Sequence, residues 1–511
     1  MNRPLRILYY NWVDYLDVEG RGGGVAVYQR NIIEELGAQS GIEAFFLSAG
    51  LSYDLPFCAP RWEAVRHGPE RNRHRRYEIV NSGILAPAHS SFGDPAQVSH
   101  PPTREAFFDF VAQTGPYDVI HFNNLEGLPA EVLTIKSRYP QTKVILSLHN
   151  YYPICSQVNL WVNESQTCED FQGGARCMTC LPYQRDAQAV RLSYGISYRM
   201  RCAGMRPGTL AYDVMFRGVR AFGRRGAHAF RWLRQMRQRN ALTPAPNSKA
   251  AAELAAAFAT RRSDMTALIN SHCDQVLCVS NAVRVLAHRY GISPERTRTS
   301  YIGTLAANTT SGTSGPKATV FTPEKSILTL GYLGYMRRDK GFYFLLDALE
   351  ALPVSIATRI RIVIAARAAD QTTMARVYRL KDHLAGVIYH DGYTHAELET
   401  VLAPVDVGLI PVLWHDNLPQ VAIEMHARKI PLLTAAMGGA PELGNCADMV
   451  FAPGDIGGFT NRIQALLAGQ IDMESYWRGA MTPRSVKDHV ADLLKIYRGQ
   501  DPAARSAPVK T

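Results

Sequence analysis

Long apolar runs are missing from this sequence. None approaches the roughly 18 residues that a membrane-spanning helix requires, so no transmembrane helix is expected. A leader pattern is missing too. Met1-Asn2-Arg3-Pro4-Leu5-Arg6 leads straight into the short apolar run Ile7-Leu8-Tyr9-Tyr10, with Asp14, Asp17 and Glu19 soon after, and a cytoplasmic protein is expected. Nine cysteines, odd in number and scattered, do not make a disulfide framework. Repeats at solenoid periods are absent. So is the G-x-G-x-x-G dinucleotide fingerprint, which disfavours a nicotinamide cofactor. Neither an RNA-binding signature nor a recognition-helix pattern occurs, so nucleic acid is not an expected partner.

What is present is the balance of a soluble globular chain. Its 511 residues exceed one ordinary domain of roughly 100–200 residues, and two large domains or three smaller ones are expected. The net charge of +11 is unevenly placed. From Leu181 to Arg262, 16 Lys/Arg stand against 3 Asp/Glu, which exceeds the whole net charge and leaves the remainder slightly acidic. A basic segment on a balanced chain implies a local anionic partner.

Strand and helix patterns alternate twice. In the first half, strands are expected at Leu5–Tyr10, Glu43–Leu47, Asp118–Phe122, Val144–His149 and Gln275–Val279. Helices are expected at about Ala26–Leu36, Pro129–Ser137 and Ala282–Tyr290. Residues 305–325, with Asn-Thr-Thr-Ser-Gly-Thr-Ser-Gly-Pro, have the composition of a flexible linker. Alternation restarts with strands at Ile327–Leu333, Arg359–Ala365, Val387–His390, Val407–Ile410 and Pro431–Thr434. Between them fall helices at Phe342–Glu350, about Met374–Leu384 and Gln420–Arg428. The fold class is therefore α/β, with two Rossmann-like, doubly wound domains at residues 1–304 and 326–480. A basic helical insertion at about 151–271 fits neither sheet. Residues 481–511 supply a last helix, Arg484–Tyr497, and a tail. Val486, Val490, Leu493, Leu494 and Tyr497 share one face of that helix, the spacing of a buried stripe.

Three segments carry chemistry. Gly22-Gly23-Gly24 precedes a helix, where glycine lets backbone N–H groups approach an anion; a plain tight turn is the equal alternative. Gly334-Tyr335-Met336-Arg337-Arg338-Asp339-Lys340-Gly341 puts three cations between a strand and a helix, as a diphosphate leaving group requires; taken alone, an exposed basic turn is the alternative. Pro411–Leu443 holds Asp416-Asn417-Leu418-Pro419-Gln420, then Glu424 eight residues after Asp416, then Gly438-Gly439-Ala440-Pro441-Glu442. Two carboxylates on one loop–helix unit can grip the hydroxyls of a sugar and a ribose, and loop N–H groups between them can meet phosphate.

In these segments the chain resembles glycosyltransferase family 4, retaining enzymes of the GT-B fold. The family's G-R-L-x-x-x-K-G, acidic–seven–Glu and G-G-x-P-E segments have counterparts here in order. The first half adds Gly23-Gly24, Asp118-Val119-Ile120-His121, Ser147-Leu148-His149-Asn150 and Val279-Ser280-Asn281. The resemblance covers nearly all of the chain except the basic insertion and the linker. It implies two domains facing across a cleft, the last helix crossing back to the first domain, and a nucleotide-diphosphate sugar donor. The acceptor is implied to be a saccharide or a lipid-linked saccharide, and no cofactor is implied for catalysis. Residue by residue it implies that Lys340 binds the diphosphate, with Gly23, Gly24, Gly334 and Arg338 near the phosphates. Asp416 and His149 would contact the donor sugar, and Glu424 the ribose, with Asn417, Leu418, Pro419 and Gln420 lining the donor loop. Two positions depart from the family pattern: Tyr335 stands where Arg is usual, and Asp416 where Glu is usual. Tyr335 motivates an alternative on the same fold, a catalytically impaired protein that binds a sugar nucleotide or an acceptor.

Two further features lie outside those segments. Cys155, Cys168, Cys177 and Cys180, spaced C-x12-C-x8-C-x2-C, could close a structural zinc site or be four buried or free thiols. Arg217 to Arg239 interleaves eight arginines with Phe222, Phe230, Trp232 and Leu233. That composition fits an interfacial helix on anionic lipid at the inner face of a membrane, or a solvated helical hairpin.

Overall fold

In the computed structural model the residues described are 3–500, apart from 18, 56, 67–69, 182, 206, 216–248 and 310–325. They build two parallel sheets. The first contains β1 (Leu5–Tyr10), β2 (Ile42–Ser52), β3 (Arg61–Ala64), β4 (Arg76–Val80), β5 (Val119–Phe122) and β6 (Lys143–Leu148). A separate hairpin follows, β7 (Trp161–Val162) and β8 (Gln166–Thr167), before β9 (Gln275–Cys278) and β10 (Thr297–Thr299) complete the first sheet. The second contains β11 (Leu328–Gly334), β12 (Ile360–Ala366), β13 (Gly386–Asp391), β14 (Val407–Ile410), β15 (Leu432–Ala435) and β16 (Val450–Phe451).

Strand order in the first sheet is β10-β9-β6-β5-β1-β2-β4-β3, and in the second β13-β12-β11-β14-β15-β16. Every pairing in the two sheets is parallel except β3 with β4. Parallel strands need crossover connections, so both faces are covered and the strands read as apolar runs. Ile7, Leu8, Val144, Ile145, Leu330, Ile362 and Leu433 are all fully buried. The longer helices are α1 (Gly23–Gly37), α2 (Pro101–Thr114), α3 (Ala187–Cys202), α4 (Lys249–His272) and α5 (Asn281–Arg289). In the second half they are α6 (Phe342–Glu350), α7 (Gln371–Arg379), α8 (Gln420–Ala427), α9 (Ile456–Leu467) and α10 (Val486–Arg498).

Three expectations change. Residues 249–271, read as insertion, form most of α4, the crossover helix between β6 and β9; Met265 and Ile269 are fully buried in the first core. The strands β3 and β4 were not anticipated, because the stretch around them is dense in arginine. Residues 305–325 do not begin as a free linker: Ala306–Thr309 is one helical turn, and Ala306 and Ala307 pack on Ala427 of α8. The rest of that stretch, residues 310–325, lies outside the described residues, as do the basic run Arg217–Arg239 and the tail beyond 500.

The last helix does cross back. Val490, Leu493 and Leu494 are buried in the first core. The Tyr497 hydroxyl sits between the Tyr9 hydroxyl at 2.9 Å and His121 Nδ1 at 2.6 Å. His489 Nε2 lies 2.9 Å from the Tyr28 hydroxyl of α1. The two chain crossings between the sheets lie side by side, with Thr304 bridged in parallel to Ser485. Replacing Tyr497 with Phe removes both hydroxyl contacts from a buried site and leaves Tyr9 and His121 without that partner. The expected cost is about 1–3 kcal/mol of stability, read from denaturant unfolding; an unchanged midpoint would show that the docking of α10 is apolar only.

Candidate functional site

The second sheet has the doubly wound order 3-2-1-4-5-6, so its strand order reverses between β11 and β14. The carboxyl ends of those two strands frame a crevice, the usual ligand position in such sheets. The loop after β11 carries Lys340 and the loop after β14 carries Asp416. The structure brings them together: Lys340 Nζ lies 2.6 Å from Asp416 Oδ2 and 4.8 Å from the Trp414 ring centre. The two loops lock tightly. Leu413 N–H donates to the Asp339 carbonyl at 3.0 Å. At Gly341, with φ of 73°, a Cβ would lie 1.7 Å from the Pro411 carbonyl oxygen. Gly334, with φ of 137°, makes the turn out of β11. Of the cations beside Lys340, Arg337 is tied to Asp339 through Nε and an Nη, each at 2.9 Å. Arg338 is exposed, and so is Tyr335.

Asp416, Asn417, Leu418 and Pro419 form a buried loop, and Gln420 opens α8. Asn417 Nδ2 is buried with no hydrogen-bond partner among the described residues. Glu424, one turn into α8, is buried and fully engaged. Its Oε1 accepts from Thr304 Oγ1 at 2.5 Å and from Gln420 Nε2 at 3.2 Å, and Oε2 pairs with Arg428 at 2.6 Å. The carboxylate predicted to meet a ribose therefore also holds together α8 and the Thr304 crossing. Oε1, held by two neutral donors, is the oxygen a diol could take over.

From the first domain, α1 begins at Gly23, and its N-cap position, Gly22, offers no capping side chain. A Cβ on Gly24 would stand 3.4 Å from Gln420 Cβ, so the first-domain glycine loop meets the start of α8. His149 directly follows β6, its ring 4.8 Å from that of Tyr28 on α1, and its Nε2 is buried without a partner among the described residues. Burial first, then His489, pushes His149 down to about 3. Burial likewise pushes His121 to about 3, and burial with Arg484 pushes His489 to about 4. All three rings are neutral at pH 7.

Sequence reasoning missed Glu126. This buried carboxyl follows β5, accepts from Ala88 N–H at 2.7 Å and from Asn150 Nδ2 at 2.8 Å, and so fixes the residue next to His149. Burial pushes it up to about 7, against those hydrogen bonds. A lone Glu in a loop gives no sequence signal for this.

The four cysteines lie in the loop around β7 and β8, all reduced. Leu160 N–H donates to Cys155 Sγ at 3.4 Å and Gln157 Nε2 to Cys180 Sγ at 2.9 Å. Burial, then the neighbouring thiols, pushes Cys177 to about 12, and Cys180 likewise. Among the described residues no group of three or more His, Cys, Asp or Glu is placed as a metal site. The same loop carries Glu169, whose carboxylate reaches His415 Nε2 at 3.0 Å and Arg289 at 2.8 Å.

Residues 324–469 match the family model described as Glycosyl transferases group 1. Solved structures match almost the whole chain. Sucrose-phosphate synthase from Thermosynechococcus elongatus is 15% identical over 97% of this chain and 98% of its own, with a TM-score of 0.53. HepE from Anabaena, in complex with UDP, is 13% identical over 97% and 100%, with a TM-score of 0.53. A glycosyltransferase from Rickettsia africae is 12% identical over 98% and 99%, with a TM-score of 0.51. No curated protein sequence matches the chain. The fold is thus GT-B: two Rossmann-like domains with a return helix. Residues 324–469 form a group 1 glycosyl transferase domain within that fold.

The buried titrating groups around His149 set a pH dependence. Between about pH 4.5 and 6.5 the unfolded chain protonates His121, His149 and His489, which the fold keeps neutral. The fold in turn retains a proton on Glu126 that the unfolded chain loses. These four groups give a net uptake of about two protons on unfolding, so stability should rise with pH through that window. Denaturant unfolding at pH 5 and 6 reads the slope; a flat profile would mean that the rings are hydrated.

Proposed function

We propose that the protein transfers a sugar from a nucleoside-diphosphate donor to a saccharide or lipid-linked saccharide, with retention at the anomeric carbon, in surface or extracellular polysaccharide synthesis. The observation that carries the reading is the Lys340–Asp416 pair at the switch point of the second sheet, opposite the first-domain glycine loop. HepE, of the same fold, is solved with UDP, and in other crystals with UDP and glucose.

The anomeric C–O bond of the donor breaks, and negative charge grows on the diphosphate. Lys340 and Arg338, with the uncapped start of α1 at Gly23 and Gly24, offset that charge from fixed positions. Arg338, free of the carboxylate that holds Arg337, supplies the cation that Tyr335 does not. Asp416, released from Lys340 by the arriving phosphate, accepts from hydroxyls of the donor sugar. Neutral His149 offers its unpartnered Nε2 to the same sugar. Glu424 exchanges the Thr304 hydroxyl for the ribose diol. The acceptor proton passes to the leaving phosphate oxygen on the same face, and no protein nucleophile is needed. The four cysteines brace, as thiols or around a zinc ion, the loop that carries Glu169 to His415.

Incubation with UDP-, GDP- and ADP-sugars, read by mass spectrometry, identifies the donor. Lys340→Ala should then lose on the order of 10²–10³ in turnover with the fold retained, as when one preorganised charge-stabilising donor is removed. Wild-type turnover in that variant would refute the assignment, and donor binding without any turnover in the wild type would favour the binding-protein reading.

We further propose peripheral contact with an anionic membrane through Arg217–Arg239. Supporting this, the residues leading into the segment expose apolar side chains, with Leu210 79% and Val214 61% exposed. No helix among the described residues is long and apolar enough to cross a membrane. Binding to anionic vesicles should exceed binding to neutral ones and weaken with salt, since each basic group at the surface contributes about 1 kcal/mol. Co-sedimentation of a variant lacking the Arg224, Arg225, Arg231 and Arg234 side chains decides this. Equal sedimentation of the variant and the wild type would refute membrane contact through this segment.

A further inference from the structure

Glu442 closes the turn that starts at Gly438-Gly439 in the second domain, yet both its carboxylate oxygens reach the first. Oε2 accepts from Asn281 N–H at 2.9 Å and from the Tyr301 hydroxyl at 2.5 Å, and Oε1 accepts from Ala282 N–H at 2.7 Å. Asn281 and Ala282 are the first two residues of α5. The third N–H, of Val283, donates to Ser280 Oγ at 3.2 Å. Three of the N–H groups that a helix start leaves open are thus occupied, two of them by a carboxylate from the other domain, where the helix dipole favours negative charge.

A second, separate contact runs alongside. Ser280 Oγ donates to the Asn417 carbonyl at 2.6 Å, in a buried position. The glycines make this approach feasible. A Cβ on Gly439 would lie 2.4 Å from the Asn417 carbonyl oxygen and 2.6 Å from Ser280 Cβ. One on Gly438 would lie 2.0 Å from the Asp416 carbonyl oxygen. The start of α5, the Gly438–Glu442 turn and the Asp416-Asn417 loop are therefore stacked without slack. On the other flank of Asp416, His415 is held by Glu169 of the first domain.

We propose that Glu442 is a positioning residue for transfer: its carboxylate on the start of α5 is the contact that closes the two domains and sets Asp416 against the first-domain half of the site. The effect on turnover rests on the donor reading above; the closing contact itself does not. Losing a charge-assisted bond to two N–H groups and a hydroxyl should shift the closed-to-open ratio by roughly tenfold or more.

The test uses the full chain as wild type, Glu442→Ala, Glu442→Gln and Tyr301→Phe, each checked for folding by thermal melt. X-ray scattering without ligand and with UDP reads closure. The expected result is a larger radius of gyration for Glu442→Ala in at least one condition in which the wild type is compact. Tyr301→Phe and Glu442→Gln should fall between. UDP affinity by calorimetry should change less than about threefold, because the donor reading places the nucleotide on the second domain. With the donor identified, kcat should drop roughly tenfold or more in Glu442→Ala with donor KM little changed, and Glu442→Gln, which keeps one acceptor oxygen, should recover part of the loss. A Glu442→Ala protein as compact as the wild type in both conditions overturns the proposal. So does a wild type that is open in both, or a variant that loses melting temperature with kcat intact. Failure of UDP, GDP and ADP alike to bind the wild type would count against the donor reading, while the ligand-free scattering would still judge Glu442.

Discussion

Parallel strands cannot be joined by short turns, and that constraint shapes everything at the cleft. Each crossover must carry a helix over one face of its sheet, and where the crossovers change face the strand ends part. In the second sheet they part between β11 and β14, and the proposed donor site lies there: Lys340 from one loop, Asp416 from the other, 2.6 Å apart. In the first sheet they part between β1 and β5, where the glycine loop and Glu126 lie. Two such crevices facing one another make a single site from residues that no local sequence signal joins.

Much of this was legible because buried parallel strands are written as apolar runs and their helices as periodic ones. The helix Phe342–Glu350 and the strand Val407–Ile410 fall at the residues expected. Legibility failed where charge is buried. Strand β4 begins with Arg76, 1% exposed and paired with Asp14 at 2.9 Å, and no strand was expected there. Helix α4 failed similarly. Its alanine-rich sequence and Arg261-Arg262 read as part of a basic insertion, yet Arg261 is buried and donates to the Tyr152 carbonyl at 2.8 Å. A charge whose partner is distant in sequence looks like a surface charge until the fold pairs it.

The site shows the same limit at finer scale. The spacing of Asp416 and Glu424 was readable, but the Arg428 and Thr304 contacts that hold Glu424 were not. A carboxylate with a structural duty cannot be truncated without disturbing α8, so conservative replacement is the informative change there. Glu442 closed a recognisable segment, but its partners lie across the cleft on α5.

The return of α10 has a consequence for how the chain is built. Tyr9 and His121 belong to strands made early in synthesis, and their polar atoms are satisfied by Tyr497, made after the whole second domain. Tyr28 waits likewise for His489. The domain that leaves the ribosome first is therefore the one completed last. Until α10 arrives, it presents an open apolar seam in which the Tyr9 hydroxyl and His121 Nδ1 lack the Tyr497 partner. A folding defect placed anywhere in the second sheet would strand the first sheet in that unfinished state.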